Sequence, residues 1–258
     1  MIRIAIANQK GGVGKTTTAI NIATAMAAAG WKTLLVDLDP QGNASTGLGI
    51  EGARRELSSY DLLVEQAKVE DCTVPTSIPG LDVVPATVDL SGAEIELVTV
   101  ENRTGRLGAA LAGHTQHDVC FIDCPPSLGL LTLNALTAAD TLMVPLQCEF
   151  FALEGLSQLL TTVDQVQQRF NPNLGIIGIV LTMFDRRNRL TDQVAEDVRE
   201  CLGKLVFEAV IPRNVRLSEA PSHGLPALIY DQSCAGSVAY MALARELIGR
   251  LPKERVAA

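Results

Sequence analysis

Short apolar runs alternate with longer stretches of mixed polarity along almost the whole chain. The runs are nearly continuous in Val, Ile and Leu, which is typical of strands covered on both faces of a sheet. They predict strands at residues 2–7, 33–37, 81–85, 119–123, 141–145, 176–182 and 206–211. The stretches between them predict helices at residues 16–29, 58–66, 101–111, 128–138, 154–170, 192–202 and 236–251.

This alternation predicts an α/β fold with a mostly parallel, twisted sheet and crossover helices on both faces. No repeat or long linker interrupts it, so residues 1–258 are predicted to form one domain. Residues 51–101 are predicted to be an elaboration packed on that domain, and residues 236–251 a C-terminal helix.

A glycine-rich segment joins the first predicted strand to the first predicted helix. Its sequence is Gln9-Lys10-Gly11-Gly12-Val13-Gly14-Lys15-Thr16-Thr17. In this context glycines let the backbone approach phosphate groups, and the helix N-terminus adds partial positive charge. Lys15 can reach the β- and γ-phosphates, and the Thr16 hydroxyl can ligate Mg²⁺. The strict phosphate-loop pattern has glycine where this chain has Gln9, and a further lysine, Lys10, precedes the glycines.

Acidic residues end two other predicted strands at the edge of the sheet where such folds bind ligands. Asp37 and Asp39 follow the second strand, and Asp123 follows a later one. An aspartate in the position of Asp123 fits the second acid of a Mg²⁺ site and is expected to act through a water. Asp37 and Asp39 then remain to hold the attacking water and support the metal, although either carboxylate could instead cap the following segment. Together these elements predict binding of ATP or GTP.

Composition favours a protein with a large buried core and argues against a membrane-spanning one. With 47% hydrophobic and 19% charged residues in 258, the chain can bury a large core, and no apolar run approaches the roughly 20 residues of a membrane span. We therefore expect a cytoplasmic protein. Its six cysteines show no CxxC spacing and are expected to be reduced thiols, although Cys120 and Cys124 leave an iron–sulfur role to be weighed. His114 and His117 are expected to be solvated loop residues, with a metal site as the alternative.

The formal net charge of −8 is unevenly distributed. Residues 51–101 contain 11 acidic and 3 basic residues, so the rest of the chain carries 18 of each. Residues 186–216, by contrast, contain 7 basic and 5 acidic residues. Overall acidity therefore does not argue against a nucleic-acid partner, because the excess acid is confined to one segment.

The motifs resemble those of the deviant phosphate-loop ATPases and, within them, the ParA/Soj partitioning proteins. The segments that carry the resemblance are residues 10–17, 37–43 and 122–127, with Leu181-Thr182-Met183-Phe184-Asp185 and Val210-Ile211-Pro212-Arg213-Asn214-Val215-Arg216-Leu217-Ser218-Glu219-Ala220-Pro221-Ser222. The resemblance extends from residue 2 to about residue 251. No DNA-binding extension precedes it, so the short chromosomal type is expected.

The resemblance implies a role for each residue of the loop. Lys10 would be the signature lysine, which reaches the partner's phosphates across a nucleotide-sandwich homodimer. Lys15 would bind the β- and γ-phosphates of its own nucleotide, Thr16 would ligate Mg²⁺, and Thr17 would bind the α-phosphate. Asp39 would position or activate the water. The remaining cofactor-binding residues implied are Gly11, Gly12, Val13 and Gly14 in the loop, and Met183, Pro212 and Asn214 near adenine.

The resemblance also implies partners. ATP-bound dimers of this family coat double-stranded DNA without sequence preference, and a ParB-like centromere-binding protein stimulates slow hydrolysis and release. Arg187 and Arg216 match the positions expected to touch DNA phosphates, but Arg186 and Arg189 lie nearby, so which of these contacts DNA stays open. A nucleoid-associated protein is therefore expected.

Three alternatives remain at this stage. The first is a membrane-recruited division-site ATPase of the MinD kind, for which Arg250, Lys253 and Arg255 after the last helix would supply charge. The apolar face of that helix is ordinary for core packing, so stable membrane binding is not expected. The second is a redox enzyme resembling the nitrogenase iron protein. The third is a relative that positions a cargo other than a chromosome or plasmid.

Overall fold

The computed structural model describes residues 1–252. Two of the basic residues named for a membrane-bound C-terminus, Lys253 and Arg255, lie outside the described residues. Among residues 1–252, no helix is both long and apolar enough to cross a lipid bilayer.

Seven strands form a single sheet in the order β3-β4-β2-β5-β1-β6-β7. All neighbouring strands run parallel except β3, which pairs antiparallel with β4 at one edge. The strands are β1 (Ile2–Ile6), β2 (Thr33–Asp37), β3 (Val74–Pro75), β4 (Leu81–Val84), β5 (Val119–Asp123), β6 (Thr141–Gln147) and β7 (Gly175–Thr182). The predicted parallel α/β architecture is confirmed, and the acidic segment contributes the two outer strands β3 and β4.

Eleven α-helices connect and cover these strands within residues 1–252. They are α1 (Lys15–Ala28), α2 (Asn43–Gly47), α3 (Val69–Cys72), α4 (Leu90–Glu96), α5 (Arg106–Leu111), α6 (Leu130–Ala138), α7 (Ala152–Arg169), α8 (Arg189–Leu202), α9 (Val215–Glu219), α10 (Ala227–Tyr230) and α11 (Ala235–Arg250). Alternate residues of each strand point to opposite faces, so the sheet separates two apolar layers. One layer packs under α1, α10 and α11, and the other under α5, α6, α7 and α8.

The strand predicted at residues 206–211 is not formed, because side chains of α11 take its backbone groups. The Arg250 guanidinium donates to the carbonyls of Val206 and Ile177 at 3.0 and 2.9 Å. The Glu246 carboxylate accepts from the amides of Glu208 and Ala209, both at 3.1 Å. The segment therefore follows β7 through isolated bridges and does not extend the sheet as a regular strand.

Two predicted helices differ from the expectation. The helix predicted at residues 58–66 is formed at residues 59–65, but Asp61–Glu65 is π-helical, and the helix ends where Gln66 adopts a left-handed φ of 57°. The helix predicted from residue 101 begins at Arg106, because Asn102 has a φ of 53° and breaks the helical path. Both differences lie in or beside the acidic segment.

Candidate functional site

The carboxyl ends of β1, β2 and β5 meet at one rim of the sheet, and the glycine-rich loop leaves from this rim. Gly12 and Gly14 have φ values of 74° and 84°, which a residue with a Cβ rarely adopts. Gly14 directly precedes α1, so the loop leads the backbone into a helix N-terminus. The side chain of Asn8 anchors the start of the loop by accepting from the Lys10 amide at 3.0 Å and donating to the Pro145 carbonyl at 2.7 Å.

Lys15, the first residue of α1, is buried at the base of this loop and is only 6% exposed. Its ammonium group donates to the Lys10 carbonyl at 3.1 Å, so the side chain folds back under the loop. Burial lowers the pKa of Lys15, while the nearby Asp123 and Asp39 carboxylates act in the opposite direction. The chain thus holds a cation where an anionic ligand at the helix N-terminus would meet it.

Asp37 is a structural residue of this rim. Its carboxylate accepts from the Ser45 amide at 2.9 Å, from the Ser45 hydroxyl at 2.7 Å and from the Asp39 amide at 3.2 Å. Burial raises its pKa to about 6 even though these hydrogen bonds favour the charged form. Of the two alternatives that the sequence left open for Asp37, the structure supports a cap for the α2 region, since its oxygens are already engaged.

Asp123 has the opposite character, although it is the register partner of Asp37 on the neighbouring strand. It is fully buried, and neither carboxylate oxygen has a hydrogen-bond partner of good geometry. Burial and the proximity of Asp37 raise its pKa well above the ordinary range, although the Thr16 hydroxyl lies beside it. Orphaned carboxylate oxygens next to a hydroxyl are a donor set that suits a hard cation such as Mg²⁺.

Asp39 is 7% exposed and faces the same space. Its Oδ1 accepts from the Gln41 amide at 3.0 Å, which fixes the carboxylate and leaves Oδ2 for another contact. A cavity of about 340 Å³ lies between Asp39 and the loop and is lined in part by Lys15, Thr16 and Thr17. The structure therefore brings together the phosphate, metal and water-positioning candidates of the sequence.

A second cavity, of about 280 Å³, adjoins the first at Gly14 and Thr17. Met183, Pro212 and Asn214 all line it, as the resemblance implied for a base-binding pocket. Met183 has a left-handed φ of 50°, and the side-chain oxygen of Asn214, Oδ1, accepts from the Arg216 amide at 2.9 Å as the cap of α9. The sequence did not point to several other lining residues, namely Thr182, Arg213, Leu217 and Tyr240.

Lys10 lies outside the phosphate cavity. Its ammonium group pairs with the Glu149 carboxylate of the same chain, and both side chains are 46% exposed. The next two residues, Phe150 and Phe151, are large apolar side chains exposed at 75% and 65%. The sequence did not identify Glu149, because a lone glutamate after β6 carries no motif.

The two arginines predicted to touch DNA are exposed but already paired with acids. Arg187 makes two contacts with the Asp185 carboxylate, at 2.9 and 2.8 Å, and lowers the pKa of that carboxyl to about 2. Arg216 contacts Glu219 at 2.8 Å and Asp231 at 3.5 Å. Within residues 1–252, three exposed arginines close by make no ion pair: Arg186, Arg189 and Arg213.

The cysteines and histidines weighed as metal ligands in the sequence are all buried in the structure. Cys120 and Cys124 are both fully buried free thiols, and burial raises the pKa of Cys120 to about 12. Within residues 1–252, no three or more His, Cys, Asp or Glu side chains are grouped so that they could hold a metal ion by themselves. The prediction that His114 and His117 are solvated is wrong: they are only 7% and 6% exposed because each hydrogen-bonds a carboxylate and the other ring.

Comparisons with known proteins agree with this geometry. Residues 1–176 match a family model described as an AAA domain. The chain is 60% identical over 250 residues to the chromosome partitioning protein ParA of Caulobacter vibrioides strain NA1000 / CB15N, covering 96% of this chain and 94% of that protein. It is 55% identical over 245 residues to the sporulation initiation inhibitor protein Soj of Bacillus subtilis strain 168, covering 95% and 97%.

Among solved structures, the chain is similar to a cobyrinic acid a,c-diamide synthase of Mycobacterium smegmatis with bound ADP and magnesium. The TM-score is 0.83 with 38% identity, over 96% of this chain and 94% of that one. The sheet, the loop and its lysine define a phosphate-loop nucleoside triphosphatase fold. Within that class, the identities over nearly the whole chain show that it belongs to the ParA/Soj family of chromosome-partitioning proteins.

Proposed function

We propose that the chain is an ATP-dependent DNA-segregation ATPase that acts on a chromosome or a plasmid. One observation carries the proposal: buried Lys15 and the orphaned carboxylate of Asp123 converge beneath a glycine loop that opens onto a helix N-terminus. A buried carboxylate without a hydrogen-bond partner is costly, and so is a buried ammonium whose hydrogen-bond partner is a backbone carbonyl; bound phosphate and Mg²⁺ would satisfy both. The nucleotides named for the similar solved structure support ATP and Mg²⁺ as the ligands.

The rim residues divide the chemistry among them. Lys15 and the loop amides hold the β- and γ-phosphates, and Thr17 holds the α-phosphate. Thr16 and Asp123, the latter through a water, would hold Mg²⁺, which when bound neutralises phosphate charge. Asp39 orients the water that attacks the γ-phosphorus, the bond to the bridging oxygen breaks, and ADP and phosphate leave.

The cavity around Met183, Pro212 and Asn214 receives the base. It adjoins the phosphate cavity at Gly14 and Thr17, which is where the sugar of a nucleotide bound through its phosphates would emerge. The Asn214 oxygen is occupied by capping α9, so its amide group is left to donate to an acceptor on the base.

Dimerisation is assigned to Lys10. In the single chain its ammonium group pairs with Glu149 in a half-exposed contact, and such ion pairs are worth only about 0–1 kcal/mol. The γ-phosphate of a nucleotide on a second copy can therefore compete for Lys10, much as an arginine finger acts in trans. The exposed Phe150 and Phe151 beside Glu149 would be covered in the same step.

DNA binding is assigned to Arg187 and Arg216, with Arg186, Arg189 and Arg213 as neighbours that can contribute. A dimer doubles this charge, so sequence-independent binding should require ATP. We expect affinity to fall with salt at a log–log slope of about −0.9 per phosphate neutralised. A ParB-like partner would then stimulate hydrolysis and release.

The decisive experiment measures binding to a long DNA duplex with ATP, with ADP and without nucleotide, together with light scattering. We expect a dimer that binds DNA only with ATP, and we expect Arg216→Glu to dimerise normally but lose DNA. Arg54→Glu is the matched control, because Arg54 is an exposed arginine of the acidic segment whose guanidinium donates to the carbonyl of Pro75 in the edge strand β3. Normal DNA binding by Arg216→Glu, or no binding by the parent dimer at low salt, would contradict the proposal. Flotation with liposomes would then test the membrane-recruited alternative.

A further inference from the structure

A pair of buried histidines lies at the opposite end of β5 from the nucleotide site. His114 and His117 belong to the connection between α5 and β5, and each is more than nine-tenths buried. Nothing in the proposed nucleotide chemistry uses them. Their inaccessibility is unusual for polar side chains in a connecting segment, which normally face water.

The two rings complete a continuous chain of four titratable groups. Glu70 of α3 contacts His114 Nδ1 at 2.7 Å, and Asp82 of β4 contacts His117 Nε2 at 2.9 Å. Between them, His114 Nε2 lies 2.8 Å from His117 Nδ1. The ring centroids are 5.1 Å apart and the planes differ by 21°, so the rings meet through their edges, along the lone-pair directions.

The number of protons on the four ring nitrogens follows from the hydrogen bonds that they make. A carboxylate only accepts hydrogen bonds, so His114 Nδ1 and His117 Nε2 must each carry a proton. A neutral imidazole has one proton, and both are then used. The two remaining nitrogens would face each other with lone pairs at hydrogen-bond distance unless one further proton lies between them.

We propose that His114 and His117 form a proton-binding site that holds one proton shared between the two rings and so clamps α3 and β4 to the start of β5. With the proton bound, the four groups are two carboxylates, one imidazolium and one imidazole. Each ring nitrogen is satisfied, and so is the acceptor oxygen at each end. This inference does not depend on the proposed nucleotide chemistry.

The surroundings favour a proton at this position. The charged groups that face the pair are the two carboxylates, Glu70 from α3 and Asp82 from β4, and both are anionic acceptors. The pKa of Glu70 is lowered, chiefly by its hydrogen bond with His114 and also by Lys68. Asp118, the next residue along the chain, turns its carboxylate to the Lys32 amide at 2.8 Å. A metal ion between the rings would have only these two nitrogens as ligands, since Glu70 and Asp82 contact the outer nitrogens and no group of three His, Cys, Asp or Glu side chains within residues 1–252 is placed to hold a metal ion.

The stability that this site confers should pass through a maximum with pH. When the shared proton leaves at higher pH, two lone pairs oppose each other. When a second proton enters at lower pH, two N–H groups oppose each other instead. Measurements of stability at several pH values therefore test both limits.

The first test is ¹⁵N NMR of the histidine rings, since each nitrogen's shift reports whether it carries a proton. The chain has three histidines, and exposed His223, which stacks on Tyr230, is the internal control. Near neutral pH we expect the four nitrogens of His114 and His117 to carry three protons. A total of two or of four would overturn the proposal, and so would a spectrum that changes on adding EDTA, because a metal would then occupy the place of the proton.

The second test is a conservative variant that should fold. The Glu70 side chain is 44% exposed, and in Glu70→Gln the amide oxygen can still accept from His114. With one anion removed, the shared proton should leave at lower pH in the NMR titration. An unchanged titration would contradict the clamp.

The third test compares thermal unfolding of His117→Gln with that of His223→Gln between pH 5 and 9. We expect His117→Gln to lose on the order of 2–4 °C in Tm near neutral pH and less at both ends of the range. His223→Gln should follow the parent. A loss of Tm that is constant across pH would show a purely structural role and would overturn proton binding.

Discussion

The two ends of β5 hold buried titratable groups in opposite states. At the amino end, Glu70, His114, His117 and Asp82 satisfy one another in an unbroken chain of hydrogen bonds. At the carboxyl end, Asp123 is fully buried but has no hydrogen-bond partner of good geometry. A satisfied buried group stabilises the fold, whereas an orphaned one indicates that the protein keeps a place for something else.

The same contrast recurs within the rim, between register partners on adjacent strands. Asp37 accepts three hydrogen bonds from residues of its own chain, and Asp123 accepts none of good geometry. Residue type and position after a strand are identical for the two, so only the neighbours distinguish a cap from a ligand-binding carboxylate. Asp39 is intermediate, because only one of its oxygens is engaged.

The largest expected effect comes from Asp39→Ala, which tests whether the half-engaged carboxylate acts in hydrolysis. We expect ATP turnover to fall on the order of 10²–10⁴-fold, the usual contribution of a positioned acid or base. ATP binding and dimerisation should persist, because Thr16 and Asp123 remain. A phosphate-release assay beside equilibrium dialysis measures both. Turnover at the parent rate would make Asp39 a cap like Asp37.

Lys15→Ala should have the next largest effect, on nucleotide binding. Loss of a charge-assisted phosphate contact costs roughly 1.5–3 kcal/mol, so ATP affinity should fall tenfold or more. Because burial lowers the pKa of Lys15, the ligand-free variant should be no less stable than the parent. Calorimetry checks the affinity, and Lys32→Ala, which removes an exposed lysine, is the control. Unchanged affinity would contradict the assignment.

Lys10→Ala should affect assembly more than binding. The side chain lies outside the phosphate cavity and pairs with Glu149, so its removal should leave ATP affinity within a few-fold of the parent. We expect the variant to stay monomeric with ATP in light scattering. Glu149→Gln is the matched control, because it frees Lys10 and should dimerise at least as well as the parent. A stable ATP dimer of Lys10→Ala would contradict the trans role.

Much of the rim could be predicted from the sequence because the signals are local. A glycine loop between a strand and a helix, and aspartates at strand ends, are contiguous patterns, and parallel topology brings their ends together. The sequence therefore predicts that Lys15, Asp39 and Asp123 lie together at this rim. The cavity proposed to receive the base can be predicted only through family resemblance, since Met183 and Asn214 belong to no phosphate-binding or acidic motif.

The features that the sequence does not predict depend on contacts between residues far apart in the chain. Tyr240 reaches the cavity from α11 and contacts the Thr18 hydroxyl at 3.1 Å, across 222 residues of sequence. The expected strand at residues 206–211 is prevented by Arg250 and Glu246, again from α11. The sequence predicts a solvated histidine pair and misses its burial, because the partners Glu70 and Asp82 lie in other elements. No local pattern records any of these contacts.

The smallest expected effect concerns stability without ligand and compares the two register partners directly. Asp123 has a folded-state pKa raised above the unfolded value of about 3.9, so its native state binds more protons. The stability that Asp123 contributes is fully present at pH values below its unfolded-state pKa. It is lost as pH rises through its folded-state pKa. Asp123→Asn removes this loss, so its free energy of unfolding should exceed the parent's by an amount that grows as pH rises above about 4.

Asp37→Asn is the comparison that gives this measurement its meaning. Its pKa is also raised, to about 6, so desolvation alone would predict the same gain of stability with rising pH. An amide, however, can accept from Ser45 only through one oxygen, and its NH₂ group would meet donors at the other position. We therefore expect Asp37→Asn to be destabilised at every pH in urea unfolding, while Asp123→Asn is stabilised. If the two variants behave alike, hydrogen-bond satisfaction does not separate the structural carboxylate from the ligand-binding one at this rim.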